Sequence, residues 1–220
     1  MACQCIVNRR TIIERWPRFN SDNRFVAVKA LTGHMTDVYE RAVIWEAEAL
    51  RLVSQLPTSL HCTQLLDEFT IPGKGSAGSH MCFVTPVYGG DVKVLIEARR
   101  TALPLPLARR IALHLLRGIA HAHERGIVHT DLKHCNIFFP TTMTADDIEA
   151  WVTKEPSRRH APEVSHDGAV QAAVSQPLPM ISEDEAVELC GISEFFLLFS
   201  FTRLLVSSIS SRLGTHDSHG

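Results

Sequence analysis

The sequence predicts an α+β fold, because strand-like segments and helical periodicity both occur and the strongest helix follows the strands. Three segments are strand-like: RFVAVKAL from Arg24, CTQLLDEFTI from Cys62 and HMCFVTPVY from His80. Apolar residues at helical spacing predict two helices, over residues 36–53 and 103–126.

The composition is that of a soluble globular protein. The chain has 220 residues, of which 45% are hydrophobic, and its net charge of -2 does not favour nucleic acid as a partner. The opening MACQCIVNRR carries two arginines after a very short apolar run, the reverse of a secretory signal, so a cytoplasmic or nuclear protein is expected. The six cysteines include no C-x-x-C pair and are predicted to be free thiols.

The first strand-like segment has an unusual lysine. Alternation places Phe25, Ala27 and Lys29 on one face and Val26 and Val28 on the other. Lys29 therefore lies beside apolar neighbours, and its ammonium needs a partner.

The helix predicted over residues 36–53 begins at Thr36 and Asp37 and contains a carboxylate within its apolar stripe. The stripe comprises Val43, Ala47, Ala49, Leu50 and Val53, and the opposite face carries Glu40, Arg41, Glu48 and Arg51. Glu46 lies inside the stripe. Because a buried carboxylate without a cation costs several kcal/mol, Lys29 is its predicted partner; the alternative is that Glu46 reaches solvent at the stripe's margin.

The glycine-rich stretch IPGKGSAGSH, residues 71–80, matches the spacing of a phosphate-binding loop. An extended apolar run follows Gly78, however, so no helix N-terminus is available there to receive a phosphate. The stretch is therefore predicted to be a flexible hairpin connection.

The second predicted helix is framed by Pro106 near its first turn and Gly126 after its end. Its apolar side comprises Leu107, Ile111, Leu115, Ile119 and Ala122, extended by Leu113, Leu116 and Ala120. The remaining side comprises Arg109, Arg110, His114, Arg117 and His121. So wide an apolar arc requires packing partners on more than one side.

The stretch IVHTDLKHCN, which follows this helix, places Asp131, Lys133 and Asn136 within six residues of one another, just after His129. Phosphoryl transfer to a hydroxyl needs a carboxylate to orient or accept the proton, an ammonium for phosphate charge and a carboxamide oxygen for Mg²⁺. These residue types follow V-A-V-K and an embedded glutamate in the required order. The pattern indicates phosphoryl transfer.

With these motifs, the segment from about Arg24 to Pro140 resembles a eukaryotic-type protein kinase. The resemblance implies a protein-kinase-like α+β fold with an antiparallel N-lobe sheet, a helix C and a partial helical C-lobe, incomplete at both ends. The implied divisions are an atypical N-terminal segment (1–23), a partial N-lobe and hinge (24–92), a partial C-lobe with the catalytic loop (93–140), a mostly exposed insertion (141–189) and an unrelated hydrophobic tail (190–220).

The resemblance also implies roles for individual residues, with ATP and Mg²⁺ as cofactors. Lys29 would hold the α- and β-phosphates and pair with Glu46, with Ala27 also in the nucleotide site; Asp131 would be the catalytic base, Lys133 would contact the transferred phosphate and Asn136 would bind Mg²⁺. In the hinge FVTPVYGG, Thr85 would be the gatekeeper, and adenine would be met by the carbonyl of Pro86 and the N–H of Tyr88.

HTDLK in place of H-R-D-L-K, together with the insertion after it, resembles the SR-protein kinases. That branch implies Arg/Ser-rich splicing factors as protein substrates, with no direct nucleic acid and no membrane as partners. Without the arginine, the loop has no cation to bind an activation-loop phosphate, so control by that phosphorylation is not expected.

The sequence departs from the family at both ends. The first glycine is Gly33, so no glycine-rich loop precedes Lys29, and no aspartate is followed two positions later by glycine, as D-F-G requires. The activation segment, its closing A-P-E motif and the remaining C-lobe helices are expected to be missing too. The chain is therefore expected to be a weak or inactive serine/threonine kinase, and the change of composition near Cys190 suggests a kinase segment whose ends are replaced, as by a retained intron or a truncated gene model.

Three alternatives stay open at the sequence level. The first is a kinase-like binding module without catalysis, and the second is a small-molecule phosphotransferase of the aminoglycoside-kinase type, which usually has histidine where this chain has Lys133. The third is a zinc site built from His121, His123, His129 and Cys135, although no fourfold ligand spacing is recognisable.

Overall fold

The computed structural model describes residues 11–15, 25–41, 45–73, 78–154, 161–165, 168–170, 178 and 196–197. The α+β class is confirmed. The strands are β1 (Thr11–Arg15), β2 (Phe25–Ala30), β3 (Asp67–Pro72), β4 (Ser79–Pro86), β5 (Tyr88–Asp91), β6 (Ile137–Pro140), β7 (Glu163–Ser165), β8 (Gly168–Val170) and β9 (Phe196–Leu197). The helices are α1 (Gly33–Glu40), α2 (Glu46–Val53), α3 (Val92–Arg99), α4 (Leu105–Glu124) and α5 (Ala145–Lys154), with a 3-10 turn at His134–Asn136.

The first sheet is antiparallel and has the strand order β1-β2-β4-β3. One face carries the lysine: Lys29 pairs in register with Phe83 of β4, and Phe83 pairs with Glu68 of β3. The other face carries a separate apolar cluster, comprising Val26, Val28, Ala30, Cys82 and Val84 with Phe69 and Ile71 packed against it. The predicted division of the segment from Arg24, which forms β2, into two faces is therefore confirmed. Strand β1 was not predicted from the sequence.

The single helix predicted over residues 36–53 is wrong, because the structure has two helices, α1 and α2. Helix α1 begins three residues earlier than expected, since the Thr32 hydroxyl caps it by accepting the Met35 N–H at 3.1 Å. Trp45, immediately before α2, has non-helical backbone angles. The sequence between the helices includes β-branched Val43 and Ile44, which have lower helix propensity; Val43, assigned to the stripe, lies outside the described residues.

The main hydrophobic core lies between α2, α3, α4 and β6. Its buried residues are Ala49, Val53, Cys62, Val92, Leu95, Leu107, Ile111, Ala122, Ile127, Ile137 and Phe139. Helix α4 presents the predicted Leu107, Ile111 and Ala122 to this core. Leu113 and Leu116 on the extended part of the arc are exposed, Leu116 at 63%.

The assignment of His114 to the polar side of α4 is wrong, because His114 is buried. Its Nδ1 lies 3.2 Å from the Nδ1 of His61, and the two rings are 4.9 Å apart. The stretch between α2 and β3, which carries His61, covers this side of α4: Cys62 Sγ contacts the Gly118 carbonyl at 3.4 Å, and Arg125 donates to the Pro57 carbonyl at 2.6 Å.

A second antiparallel sheet has the order β5-β6-β9. Its strand β5 follows the first sheet along the chain, and its strand β6 follows the 3-10 turn. Strand β5 follows β4 after one residue, and Asp91 at its end caps α3 by accepting the Val94 N–H at 2.9 Å. Strands β3 and β4 pair as a hairpin on either side of the glycine-rich stretch, as predicted, and the Gly73 N–H donates to the Gly78 carbonyl at 2.6 Å. Residues 74–77 of the connection lie outside the described residues.

The later part of the chain contributes α5, whose buried residue is Ile148, and the β7–β8 hairpin. Within the tail assigned to residues 190–220, the described residues are 196–197, which pair with β6. Among the described residues, no helix combines the length and the apolar character that crossing a membrane requires. The five sequence divisions stay predictions.

Candidate active site

Lys29 and Glu46 form an ion pair and hydrogen bond between β2 and α2. Glu46 is the first residue of α2 and is 8% exposed, so the predicted placement within the apolar stripe is confirmed and the solvent-facing alternative is wrong. Phe83, Ala47 and Leu50 belong to the buried cluster beside the pair. The Lys29 side chain keeps 30% of its surface exposed, which leaves its ammonium within reach of a ligand.

The end of β4 lies on the same sheet face as Lys29. Thr85 pairs in register with Ala27, two residues before Lys29 on β2, and both residues are buried. The Thr85 hydroxyl donates to the Pro86 carbonyl at 3.3 Å. Ala27 and Thr85 therefore give this part of the face two small side chains.

Tyr88 anchors the connection between the two sheets by its side chain. Its hydroxyl lies 2.5 Å from the Thr63 hydroxyl, and its ring lies 5.8 Å from that of Phe138 on β6. Burial raises the pKa of Tyr88 above its usual value. The hydroxyl and the ring of Tyr88 are thus both engaged within the protein.

The loop from His129 to Asn136 is organised by its own hydrogen bonds. Lys133 Nζ donates to Asp131 Oδ2 at 2.5 Å, and Asn136 Nδ2 donates to the Asp131 carbonyl at 2.8 Å. The Asn136 N–H donates to the Lys133 carbonyl at 2.8 Å, which closes the 3-10 turn. The carboxylate, ammonium and carboxamide predicted from the sequence are thereby brought together.

His129 holds this loop in its neutral form. Its Nδ1 accepts the Asp131 N–H at 3.1 Å. Burial lowers the pKa of His129 to about 4, so its imidazole is uncharged at neutral pH and can accept this bond. The sequence pattern did not assign His129 a role of its own.

Asp131 is ionised at neutral pH. The hydrogen bond from Lys133 is the main reason that its pKa lies below the ordinary value. Asp131 and Lys133 are both substantially exposed, with 41% and 44% of their side-chain surfaces accessible. The pair is therefore open to solvent and to a substrate, and its charges are ready to act on incoming polar groups.

The β4–β5 connection links the Lys29 pair to the Asp131 loop. Strand β4 pairs with β2, which carries Lys29, and β5 pairs with β6, which begins directly after Asn136. The 3-10 turn also contacts α3 and β5. The two groups are thus connected by backbone pairing within each sheet and by the single residue that joins β4 to β5.

A metal ion would find one obvious ligand here. The Asn136 amide is oriented by its hydrogen bond to the Asp131 carbonyl, and its oxygen is a suitable ligand for Mg²⁺. Among the described residues, no three His, Cys, Asp or Glu side chains converge as a metal cluster. The donor set fits a Mg²⁺ ion held largely by phosphate oxygens and water, with Asn136 as the protein ligand. It does not fit a tetrahedral zinc site.

Two sequence details bear on the alternatives. His121 of the zinc hypothesis is engaged elsewhere, with Nε2 3.0 Å from the Val53 carbonyl and Nδ1 3.1 Å from Arg125. The tripeptide Ala161–Pro162–Glu163 has the letters of the A-P-E motif that ends a kinase activation segment, so the expectation that these letters are missing is wrong. No D-F-G precedes it in the chain, and Glu163 begins strand β7, so it does not by itself supply that segment.

Comparison with known proteins agrees with this geometry. The model of the protein kinase domain matches residues 18–146, more than half of the chain. The probable serine/threonine-protein kinase clkA of Dictyostelium discoideum is 29% identical over 138 residues, which are 60% of this chain and 14% of the relative. The serine/threonine-protein kinase AFC3 of Arabidopsis thaliana is 29% identical over 128 residues, 57% of this chain and 30% of the relative.

A third relative is the mitogen-activated protein kinase kinase kinase MST11 of Pyricularia oryzae, which is 38% identical over 84 residues, 38% of this chain and 9% of the relative. The matched part thus spans less than a third of each of these three relatives. The match of the domain model over most of the described core, with these kinases as relatives, shows that the chain belongs to the eukaryotic protein kinase family, of the serine/threonine kind.

Proposed function

We propose that this chain binds ATP between β2, the β4–β5 connection and the loop of residues 129–136, and that it retains weak serine/threonine phosphoryl transfer to proteins. The observation that carries the proposal is the Lys29–Glu46 ion pair, which leaves the Lys29 side chain 30% exposed on the sheet whose strand β4 leads into β5. Protein kinases use ATP with Mg²⁺, and their conserved lysine meets the α- and β-phosphates.

Glu46 restricts the Lys29 side chain to one conformation, and the ammonium held in this way can neutralise phosphate charge. The carbonyl of Pro86 and the N–H of Tyr88 are proposed to meet the adenine edge. The contact between the Tyr88 and Thr63 hydroxyls supports that assignment, because it holds this part of the chain in place.

Asp131, ionised at neutral pH, is proposed to orient a serine or threonine hydroxyl and to take its proton as the oxygen forms a bond to the γ-phosphorus. The bond between that phosphorus and the leaving oxygen of ADP breaks in the same step. Lys133, already in contact with Asp131, is placed to meet the charge on the transferred group.

Turnover should be poor. The chain has no D-F-G aspartate and no glycine-rich loop before Lys29. Loss of a Mg²⁺ carboxylate worth three or four factors of ten in rate removes about 4–6 kcal/mol of transition-state stabilisation. A kinase-like binding module without catalysis is therefore the second candidate, and the missing D-F-G is the observation that favours it.

Binding and catalysis can be tested separately. ATP affinity is measured by calorimetry, with and without Mg²⁺, for the unaltered chain, for Lys29→Met and for the matched control Lys93→Met on α3. We expect Lys29→Met to weaken ATP about tenfold or more and Lys93→Met to leave affinity unchanged. Equal affinity of all three chains, or no binding by the unaltered chain, would refute the ATP site.

Catalysis is measured as transfer of labelled phosphate to an Arg/Ser-repeat peptide and to the same peptide with alanine for serine. Since Thr130 stands where most kinases have arginine, as in the SR-protein kinases, we propose Arg/Ser-rich proteins as substrates. Asp131→Asn should lower transfer about 100-fold while ATP affinity stays within twofold. ATP binding without transfer above the Asp131→Asn background would leave the binding module as the function.

A further inference from the structure

Helix α2 is tied to the first sheet at two points, and the two ion pairs have opposite polarity. Glu46 in its first turn meets Lys29 on β2, whereas Arg51 in its last turn meets Glu68 on β3. The helix thus supplies the acid at one end and the base at the other.

The two sheet residues lie in one row across three strands. Lys29 pairs in register with Phe83, and Phe83 pairs with Glu68, so all three side chains project from the same face. Phe83 in the middle of the row is fully buried, in a cluster with Ala47 and Leu50 of α2. The helix therefore lies over Phe83, with one ion pair on either side of the aromatic ring.

Of the two ion pairs on α2, the one between Arg51 and Glu68 has more hydrogen bonds than the one between Lys29 and Glu46. Arg51 Nη2 and Nε donate to Glu68 Oε1 at 2.6 and 3.0 Å, and Nε also lies 3.1 Å from Oε2. Nη1 donates to the Tyr39 hydroxyl at 2.9 Å and to Glu48 at 3.3 Å. The hydrogen bond to Glu68 raises the pKa of Arg51. One planar guanidinium thus joins α1, α2 and β3.

Crossed polarity makes the seat of the helix specific. Glu46 and Arg51 are five residues apart, a rise of about 7.5 Å along the helix, and β2 and β3 are about 9.6 Å apart in the sheet. Because these two lengths are similar, both pairs form at once when the helix crosses the three strands in this direction. Reversing the helix on the sheet would bring Arg51 toward Lys29 and Glu46 toward Glu68, and like charges repel. Either pair alone would tolerate sliding or rotation.

We propose that Arg51 is a positioning residue of the ATP site: with Glu68 it fixes the seat of α2 and so holds Glu46 against Lys29. The proposal rests on the proposed function in treating Lys29 as a nucleotide ligand. Arg51 itself touches neither the nucleotide nor the reacting atoms. It acts through the position of the helix that carries Glu46.

The seat of the helix can be measured without nucleotide. Reductive methylation of Lys29, quantified by peptide mass spectrometry against Lys93 in the same molecule, reports how well Glu46 holds the ammonium. The variants are Arg51→Met, Glu68→Gln and the two combined. The matched control is Arg41→Met, which breaks the exposed ion pair with Asp37 on α1. ATP affinity is measured on the same set.

Arg51→Met and Glu68→Gln should each raise the Lys29-to-Lys93 methylation ratio, and weaken ATP, roughly threefold to tenfold, whereas Arg41→Met should change neither. The combined variant should match the stronger single one, because each partner acts through the other. The charge-swapped chain, with Arg51→Glu and Glu68→Arg, should recover at least part of the loss.

A ratio that does not respond to Arg51→Met, or responds equally to Arg41→Met, would overturn the positioning role. So would additive effects of the two single variants. Absence of ATP binding in every chain, including the unaltered one, would instead refute the ATP site, and the methylation ratio would still decide whether Arg51 and Glu68 seat the helix.

Discussion

The two halves of the candidate site are built in different ways. Lys29 and Glu46 are 17 positions apart in sequence, and their ion pair joins a strand to a helix. The pair is largely shielded, with side chains 30% and 10% exposed. The loop that carries Asp131 and Lys133 is held by bonds among its own eight residues and is open to solvent. The first half therefore depends on tertiary packing, whereas the second carries much of its geometry in its local sequence.

The largest difference between the two halves is expected at Phe83, whose ring packs against α2. Phe83→Ala should lower the free energy of unfolding by about 3–5 kcal/mol, because it leaves a cavity where the side chain is fully buried. It should also raise the methylation of Lys29 relative to Lys93 in the folded chain. Urea titration followed by circular dichroism measures the stability.

Phe139→Ala is the matched control, since Phe139 is equally buried but follows the Asp131 loop on β6. It should cost about as much stability but raise the Lys29 ratio less than Phe83→Ala does, because it reaches α2 only through the core that it shares with Ala49 and Val53. If both variants loosened Lys29 equally, the two halves would not be structurally separate.

The loop half should show a pH dependence that arises at His129. The ordinary pKa of histidine is 6.5, and burial lowers that of His129 to about 4 in the folded chain. Between these values the unfolded chain binds a proton that the folded chain resists, so this contribution to stability is complete above pH 6.5 and is lost as the pH falls toward 4. Urea titrations at pH 7 and pH 4.5 measure the loss.

His129→Asn keeps an acceptor near the Asp131 N–H but cannot titrate, so it should reduce the loss of stability between pH 7 and pH 4.5. The control is His123→Asn, on the exposed side of α4. An identical pH response of the His129 variant and the unaltered chain would show that this imidazole does not carry the effect.

The smallest effect is expected where the chain enters the loop half. Gly126, after the end of α4, has φ +71°, so Gly126→Ala should cost about 1 kcal/mol although nothing lies within 4 Å of an added Cβ. Gly126→Asn should cost less, because asparagine tolerates this conformation. Thermal unfolding measures both, and a larger loss for asparagine than for alanine would contradict the backbone explanation.

What could be predicted from sequence follows the same division. The loop of residues 129–136 was recognised from residue types and spacing, since its functional groups are neighbours in the chain. The Lys29–Glu46 pair was predicted only because a carboxylate within an apolar stripe demands a partner. Whether these residues carry the roles implied by the family stays a prediction.

Periodicity alone failed in two ways. It misses local end signals, such as the Thr32 cap of α1 and the non-helical Trp45 before α2, and it misses partners that are distant in sequence. It assigned His114 to a polar face because imidazole is polar, but His61, 53 residues earlier, supplies a partner in the interior. Arg51 was likewise assigned to the outer face of its helix, and Glu68 on another strand gives it a fixed place.

Two of the described cysteines can report the order in which parts of the molecule open. Cys62 is fully buried in the main core, where burial raises its pKa to about 12, and Cys82 is buried in the separate cluster on the outer face of the first sheet. A thiol reagent can reach either one only after its own cluster parts. The order in which the two are alkylated under mild denaturation would therefore tell which cluster loosens first.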